Sequence, residues 1–254
     1  MSSFAKTLQT DTYLDVQPVL LRLVTTQPTL DLPSVTVTSR RISRADAIRK
    51  RLFDLAIAIP AAVFTLPIVL ALAVGSAISF RAWPFFTQIR LGHHGEEFRF
   101  MKVRSLPATA PAAADKYELE TVQNTRFGNF LRKSHLDELP QLWLVVWGTM
   151  SLVGPRPEMP SLAATFDSDF VAARLTVKPG CTGLWQISKA SAGLIGENPE
   201  YDLLYVDSES IRLDLWVLIR TAREILGGAS MTSIKDVPGW AIQGETAAGL
   251  LDAA

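Results

Sequence analysis

Cysteine is almost absent. Cys181 stands alone, so no internal disulfide can form, and the chain suits a reducing compartment. The three histidines, His93, His94 and His135, give with one cysteine no zinc-ligand spacing, and the adjacent His93 and His94 read as an exposed loop pair. Net charge is also missing: 25 Lys and Arg balance 25 Asp and Glu, so no global field draws the chain to nucleic acid. Residues 1–40 lack a secretory leader pattern, with no basic start leading into an apolar core and a small-residue cleavage site. No internal repeat is found. Apolar residues are plentiful, at 48% of 254 positions with a mean hydropathy of +0.19. That is apolar for a soluble domain and low for a multi-span transporter. The length allows one large domain or two small ones.

Most of the apolar excess sits in one run. After Arg40, Arg41, Arg44, Arg49, Lys50 and Arg51, the segment from Leu55 to Phe80 carries no charge. As a helix it would be about 39 Å long at about 1.5 Å per residue, against a hydrocarbon core of about 30 Å. Both ends are basic, since Arg81 follows, so charge asymmetry favours neither side of a membrane. Pro60 and Pro67 lie inside and remove backbone hydrogen bonds. The run therefore fits either a kinked spanning helix or a bent one that enters and leaves by the same face.

Residues 1–48, rich in Thr and Ser with Pro18, Pro28 and Pro33, read as a poorly structured extension. Downstream of the apolar run, Phe98 to Val103 reads as a strand turned in by Gly92 and Gly95. Lys102 and Arg104 then share a face, as a diphosphate clamp or as two solvated charges. Residues 106–121 read as a loop entering a short helix near Ala113–Glu120. Leu139 to Val153 is uncharged, holds Trp143 and Trp147, and is too short to span; a helix there suits a core or a membrane interface. Gly154-Pro155-Arg156-Pro157 ends it and fixes one guanidinium between prolines. Helices are expected near Pro160–Leu175 and Glu200–Val206, with a turn and a short extended piece between Val177 and Gln186. Ile211, Leu215, Leu218, Ile219, Ala222, Ile225 and Leu226 form a helical stripe with Arg212, Arg220 and Arg223 off it, suiting anionic lipid or a core. The chain after Met231 has no readable pattern.

The centre of the sequence is Leu131-Arg132-Lys133-Ser134-His135-Leu136-Asp137-Glu138-Leu139-Pro140-Gln141-Leu142. Two adjacent carboxylates stand between a basic pair and a proline. Ser134 and Asp137 have the spacing of a capping box, in which the acid only satisfies the first turn of a helix. They also suit phosphate chemistry, because a helix N-terminus attracts anions.

Taken together, these pieces resemble the bacterial sugar transferase family, the monotopic phosphoglycosyl transferases. The matching stretches run in family order over residues 50–228. They are Lys50-Arg51-Leu52-Phe53-Asp54, Gln88-Ile89-Arg90-Leu91-Gly92, Lys102-Val103-Arg104-Ser105, Leu131-Arg132-Lys133, Leu136 to Leu142, Met150 to Pro157, Lys178-Pro179-Gly180 and Thr182-Gly183. The resemblance implies a mainly helical α+β protein of the bacterial inner membrane, with its catalytic domain on the cytoplasmic face. It implies a proline-broken re-entrant helix at 49–81, a catalytic domain at 82–228 with short strands and amphipathic interfacial helices, and a tail at 229–254. It further implies Mg²⁺, a UDP-sugar donor and a polyprenyl phosphate acceptor in the bilayer, with later glycosyltransferases as partners in surface glycan synthesis. Asp137 is similar to the family's nucleophile and Glu138 to its partner, and the two would hold the metal. Arg132 resembles the phosphate-binding Arg of the same motif, and Lys102, Arg104, Arg156, Arg90 and Gln88 complete the expected substrate-binding set.

The chain departs from the family at Gln123, His135, Leu144, Thr149, Lys189 and Ala190. The departures bear on the sugar, where hexoses such as glucose or galactose are expected. They also motivate a rival, a catalytically weakened scaffold of a glycan assembly complex. Phosphotransferases acting on CDP-linked alcohols are disfavoured, because the clustered repeated Asp ligands they need are missing.

Overall fold

A computed structural model describes residues 43–111 and 122–242. Most of the N-terminal extension, the expected helix at 113–120 and the last residues of the tail lie outside the described residues.

The apolar run forms one continuous helix, α1 (Arg44–Phe80). It begins at Arg44 because Ser43 caps it, accepting from the Asp46 N–H at 3.1 Å, and it ends where Arg81 turns left-handed at φ 49°. Pro60 and Pro67 lie within it. Its buried positions are Asp54, Ala58, Ala62, Val69, Ala73 and Ser76, a stripe of mostly small residues that lets other elements approach closely. The opposite face exposes Ile59, Val63, Phe64, Ile68, Leu70, Val74 and Ile78. Among the described residues, α1 is the one helix long and apolar enough to cross a membrane.

Both ends of α1 are fastened to the same body. Near the start, Lys50 Nζ lies 2.6 Å from Ser151 Oγ and 2.8 Å from the Asp214 carboxylate, and Asp54 accepts from Ser151 Oγ at 2.9 Å. The Arg51 guanidinium donates to the Val145 and Val146 carbonyls at 2.5 and 2.8 Å. Near the other end, Ser76 Oγ donates to the Arg104 carbonyl at 2.8 Å and Ser79 Oγ to Thr125 Oγ1 at 3.0 Å.

Strands β1 (Phe85–Leu91) and β2 (Glu97–Val103) form an antiparallel hairpin that pairs Phe86 with Lys102, Gln88 with Phe100 and Arg90 with Phe98. Directly opposed residues share a face, so Gln88, Arg90 and Lys102 lie on one side. Next come α2 (Arg126–Ser134), a 3₁₀ turn at Leu136–Glu138, and α3 (Gln141–Trp147). The apolar stretch to Val153 is therefore not one helix: Gly148, at φ 91°, ends α3, and β3 (Ser151–Val153) continues as a buried strand. β3 pairs in parallel with β4 (Gly180–Thr182). Between them lie two short helices, α4 (Pro160–Ala163) and α5 (Ser168–Arg174), and after them α6 (Glu200–Ser208) and α7 (Ile211–Ile225).

The main core joins Val145, Met150, Val153, Leu184, Leu204, Tyr205, Leu213 and Val217. Met231, Ile234, Val237 and Ala241, beyond the last readable pattern, are part of it. On α7 the buried positions are Leu213, Asp214 and Val217, whereas Ile211, Leu215, Ile219, Ile225 and Leu226 are exposed. Most of the apolar stripe read from sequence faces outward, while Leu218 packs partly buried against the core.

Candidate active site

Asp137 is held at the bend between α2 and α3. His135, at φ 56°, breaks the chain out of α2 and starts the 3₁₀ turn. The capping-box reading fails here, because Ser134 is the last residue of α2 and donates to the Phe130 and Leu131 carbonyls at 2.8 and 3.2 Å. Asp137 instead accepts from Ser105 Oγ at 2.8 Å, with both side chains buried. Ser105 comes two residues after β2, and its own carbonyl accepts from Asn124 Nδ2 at 2.9 Å. Gly128 of α2 leaves room for that contact, since a Cβ there would collide with Asn124 and the Ser105 carbonyl.

Burial pushes the Asp137 carboxyl above its usual range and Glu138 adds to the push, while Lys102, Ser105 and Arg132 oppose it. Burial also pushes the Lys102 ammonium down, with Arg156 and Arg132 adding to it, against the pull of Asp137 and Glu138. Glu138 moves the other way. Burial alone would raise it, but Arg156 and Lys102 outweigh that and hold its carboxyl below the usual range. Arg156 Nη2 stands 3.7 Å from Glu138 Oε1. The two carboxylates thus differ: Glu138 is a firm anion paired with a guanidinium, and Asp137 is less completely screened.

The structure brings most of the expected residues together. Lys102, Arg132 and Arg156 all act on the dyad. Arg90 supports it from behind, paired with Glu158 at 3.1 Å and donating to the Pro157 carbonyl at 3.0 Å; burial lowers its guanidinium to about 10. Gln88 points its amide at Met159 Sδ, 2.7 Å away. Arg104 is not beside Lys102 in function, because its Nε donates to the Trp83 carbonyl at 2.8 Å. Lys102 shares its face of the hairpin with Arg90 on the other strand, each cation lying over a ring of that face, Phe86 under Lys102 and Phe100 under Arg90. Ser105 was missed in sequence, although it closes a stretch already singled out. Arg174, whose Nη2 donates to the Arg156 carbonyl at 2.7 Å, gave no sequence signal.

Asp137 and Glu138 are adjacent carboxylates, and among the described residues no third acid, histidine or cysteine joins them into a metal-binding group. That donor set suits a hard cation that shares its coordination with substrate phosphate oxygens. Of the departures from the family pattern, His135 adjoins the dyad, Leu144 is buried in the core, and Gln123 and Lys189 are exposed.

The model of the bacterial sugar transferase family matches residues 45–228. The chain is similar to a UDP-glucose:undecaprenyl-phosphate glucose-1-phosphate transferase of Xanthomonas campestris, 37% identical over 71% of this chain and 39% of that protein. It is 35% identical to a UDP-galactose-lipid carrier transferase of Erwinia amylovora, over 70% of this chain and 40% of that one. It is 33% identical to the exopolysaccharide production protein ExoY of Sinorhizobium fredii, over 68% of this chain and 84% of ExoY. It thus spans well under half of the first two relatives and most of the third. With the family model covering most of the chain and its motifs assembled around Asp137 and Glu138, this protein belongs to the bacterial sugar transferase family.

Proposed function

We propose that the protein transfers a hexose-1-phosphate from a UDP-hexose to a polyprenyl phosphate, releasing UMP, through a covalent intermediate on Asp137. The observation that carries this reading is a buried carboxylate held by Ser105 and faced by Lys102 and Arg132. A carboxylate needs no general base to attack. An Asp137 oxygen would bond to the sugar-bearing phosphorus as the bond from that phosphorus to the UMP oxygen breaks. A polyprenyl phosphate oxygen would then attack the same phosphorus, freeing the carboxylate and forming the diphosphate-linked lipid sugar.

Each step brings anions together, so charge neutralisation is the main demand. Lys102, Arg132 and Arg156 meet much of it from the protein side. Asp137 and Glu138 would hold Mg²⁺ together with donor phosphate oxygens, and the ion would neutralise charge on them. Relatives whose names specify UDP-glucose and UDP-galactose favour a hexose donor, and ExoY's name favours exopolysaccharide production as the setting.

A re-entrant seat for α1 is part of the same proposal, with the domain on the cytoplasmic face of the inner membrane. A helix this long reaches about 55 Å at about 1.5 Å per residue. Its two ends are nonetheless bound to one body, by Lys50 and Arg51 at one and Ser76 and Ser79 at the other. A spanning helix would drag that body into the hydrocarbon. The exposed apolar face of α7, beside Arg212 and Arg223, supports contact with an anionic interface. The test of the function is UMP release from a panel of UDP-sugars with undecaprenyl phosphate and membrane-inserted protein. Release that persists near the wild-type rate in Asp137→Asn would overturn it.

A further inference from the structure

Arg156 reaches the dyad from a loop whose backbone is fastened at every residue. The Gly154 N–H donates to the Thr182 carbonyl and the Pro155 carbonyl accepts from the Gly180 N–H, both at 2.9 Å. The Pro157 carbonyl accepts from Arg90 at 3.0 Å, and the Glu158 carbonyl from the Leu91 N–H at 2.9 Å. At Arg156 itself the fastener is a side chain from α5, with Arg174 Nη2 at 2.7 Å from the carbonyl. Arg174 is only 5% exposed and lies over the rings of Phe170 and Phe166, at 5.3 and 6.0 Å. Its counter-ion is Asp202 of α6, 2.8 Å away and 2% exposed.

A buried ion pair is a poor device for stability, because desolvation cancels most of its attraction and an apolar pair of equal volume would serve as well. This pair does something an apolar one cannot: it aims a guanidinium N–H at the backbone of the residue that faces Glu138. We infer that Arg174, held by Asp202, Phe166 and Phe170, is a positioning residue that sets where Arg156 presents its charge. The inference rests on the reading of Asp137 and Glu138 as the phosphosugar-transfer centre. Burial raises Asp202 to about 6 against the pull of Arg174, so the pair carries a real desolvation cost.

A double-mutant cycle on the full, membrane-inserted chain tests the inference by kcat for UMP release in the wild type, Arg174→Lys, Arg156→Gln and the double variant. Arg174→Lys keeps the charge but loses the planar stacking and the fork of donors. It is expected to lower kcat by about 10- to 100-fold, as misplacement of a charged group does. In the Arg156→Gln background the same change is expected to cost less than about 3-fold, because coupled residues are non-additive. An equal loss in both backgrounds would overturn the inference. If Arg174→Lys fails to insert, Asp202→Asn takes its place with the same two outcomes.

A wild type that releases no UMP from any donor would indict the functional reading instead. Hydrogen exchange over the Gly154–Glu158 peptide then decides the positioning claim without turnover. Faster exchange there in Arg174→Lys is expected, and unchanged exchange would overturn the claim.

Discussion

Ser105 Oγ and Asp137 Oδ2 lie 2.8 Å apart in a buried pocket, and this contact, not a helix cap, accounts for the placement of the acid. A hydrogen bond to the charged form stabilises it. Ser105→Ala should raise the already elevated Asp137 carboxyl further and lower kcat by about 10-fold, the worth of one charge-assisted hydrogen bond. The pH profile reads it out. The proposed attack by Asp137 needs its carboxylate form, so the acid limb of kcat should fall at higher pH than for an ordinary carboxylate, and higher again in Ser105→Ala. If Lys102 must stay charged, its lowered value brings the alkaline limb down as well, giving a narrow bell.

Asp137→Asn should remove UMP release yet leave the protein at least as stable at neutral pH. The sign follows from the raised carboxyl. The fold holds the Asp137 proton more tightly than the unfolded chain does, so ionisation costs stability as pH rises through the folded value. A neutral isostere escapes that cost. Thermal melts at pH 7 should give an Asn variant no lower than the wild type, with the gap closing at acid pH.

The junction of β3 and β4 admits no side chain. A Cβ on Gly154 would collide with the Lys178 carbonyl and press on the Gly180 nitrogen, which lies 2.9 Å from it. Gly154→Ala should therefore cost about 1–3 kcal/mol in denaturant unfolding. It should also reduce activity beyond that loss, because the loop carrying Arg156 begins there.

The seat of α1 is tested by labelling. In a background with Cys181 replaced, Ala45→Cys in the first turn of α1 and Ala82→Cys just past its last residue mark the two ends of the helix. Both should react with an impermeant maleimide only from the cytoplasmic side. Labelling from opposite sides would contradict the re-entrant seat.

Much of this arrangement was legible in the chain. The long helix, the hairpin strand through Lys102 and the helix from Ile211 follow from local pattern, which periodicity reports well. The Asp137–Glu138 dyad and its Arg132, Lys102 and Arg156 neighbours came from motifs read together. What stayed hidden depends on tertiary contact. Ser134 has the spacing of a cap, but the left-handed His135 turns the chain and leaves Ser134 inside α2. Arg104 has the spacing of a clamp, but its partner is the Trp83 carbonyl. The stripe on α7 suits a core or a lipid surface by its period alone; the core takes Leu213 and Val217, and of the stripe only Leu218 packs against it. Periodicity names a face and does not say what covers it. Arg174 and Asp202 meet only when α5 and α6 pack, so no local pattern joins them.

The most direct measurement is mass spectrometry of the protein quenched after mixing with UDP-hexose and Mg²⁺ in the absence of polyprenyl phosphate. The account predicts a hexose-phosphate adduct on the peptide bearing Asp137, lost on adding the lipid acceptor and absent in Asp137→Asn. No adduct at that residue, under conditions where lipid-linked sugar forms once the acceptor is supplied, would contradict it.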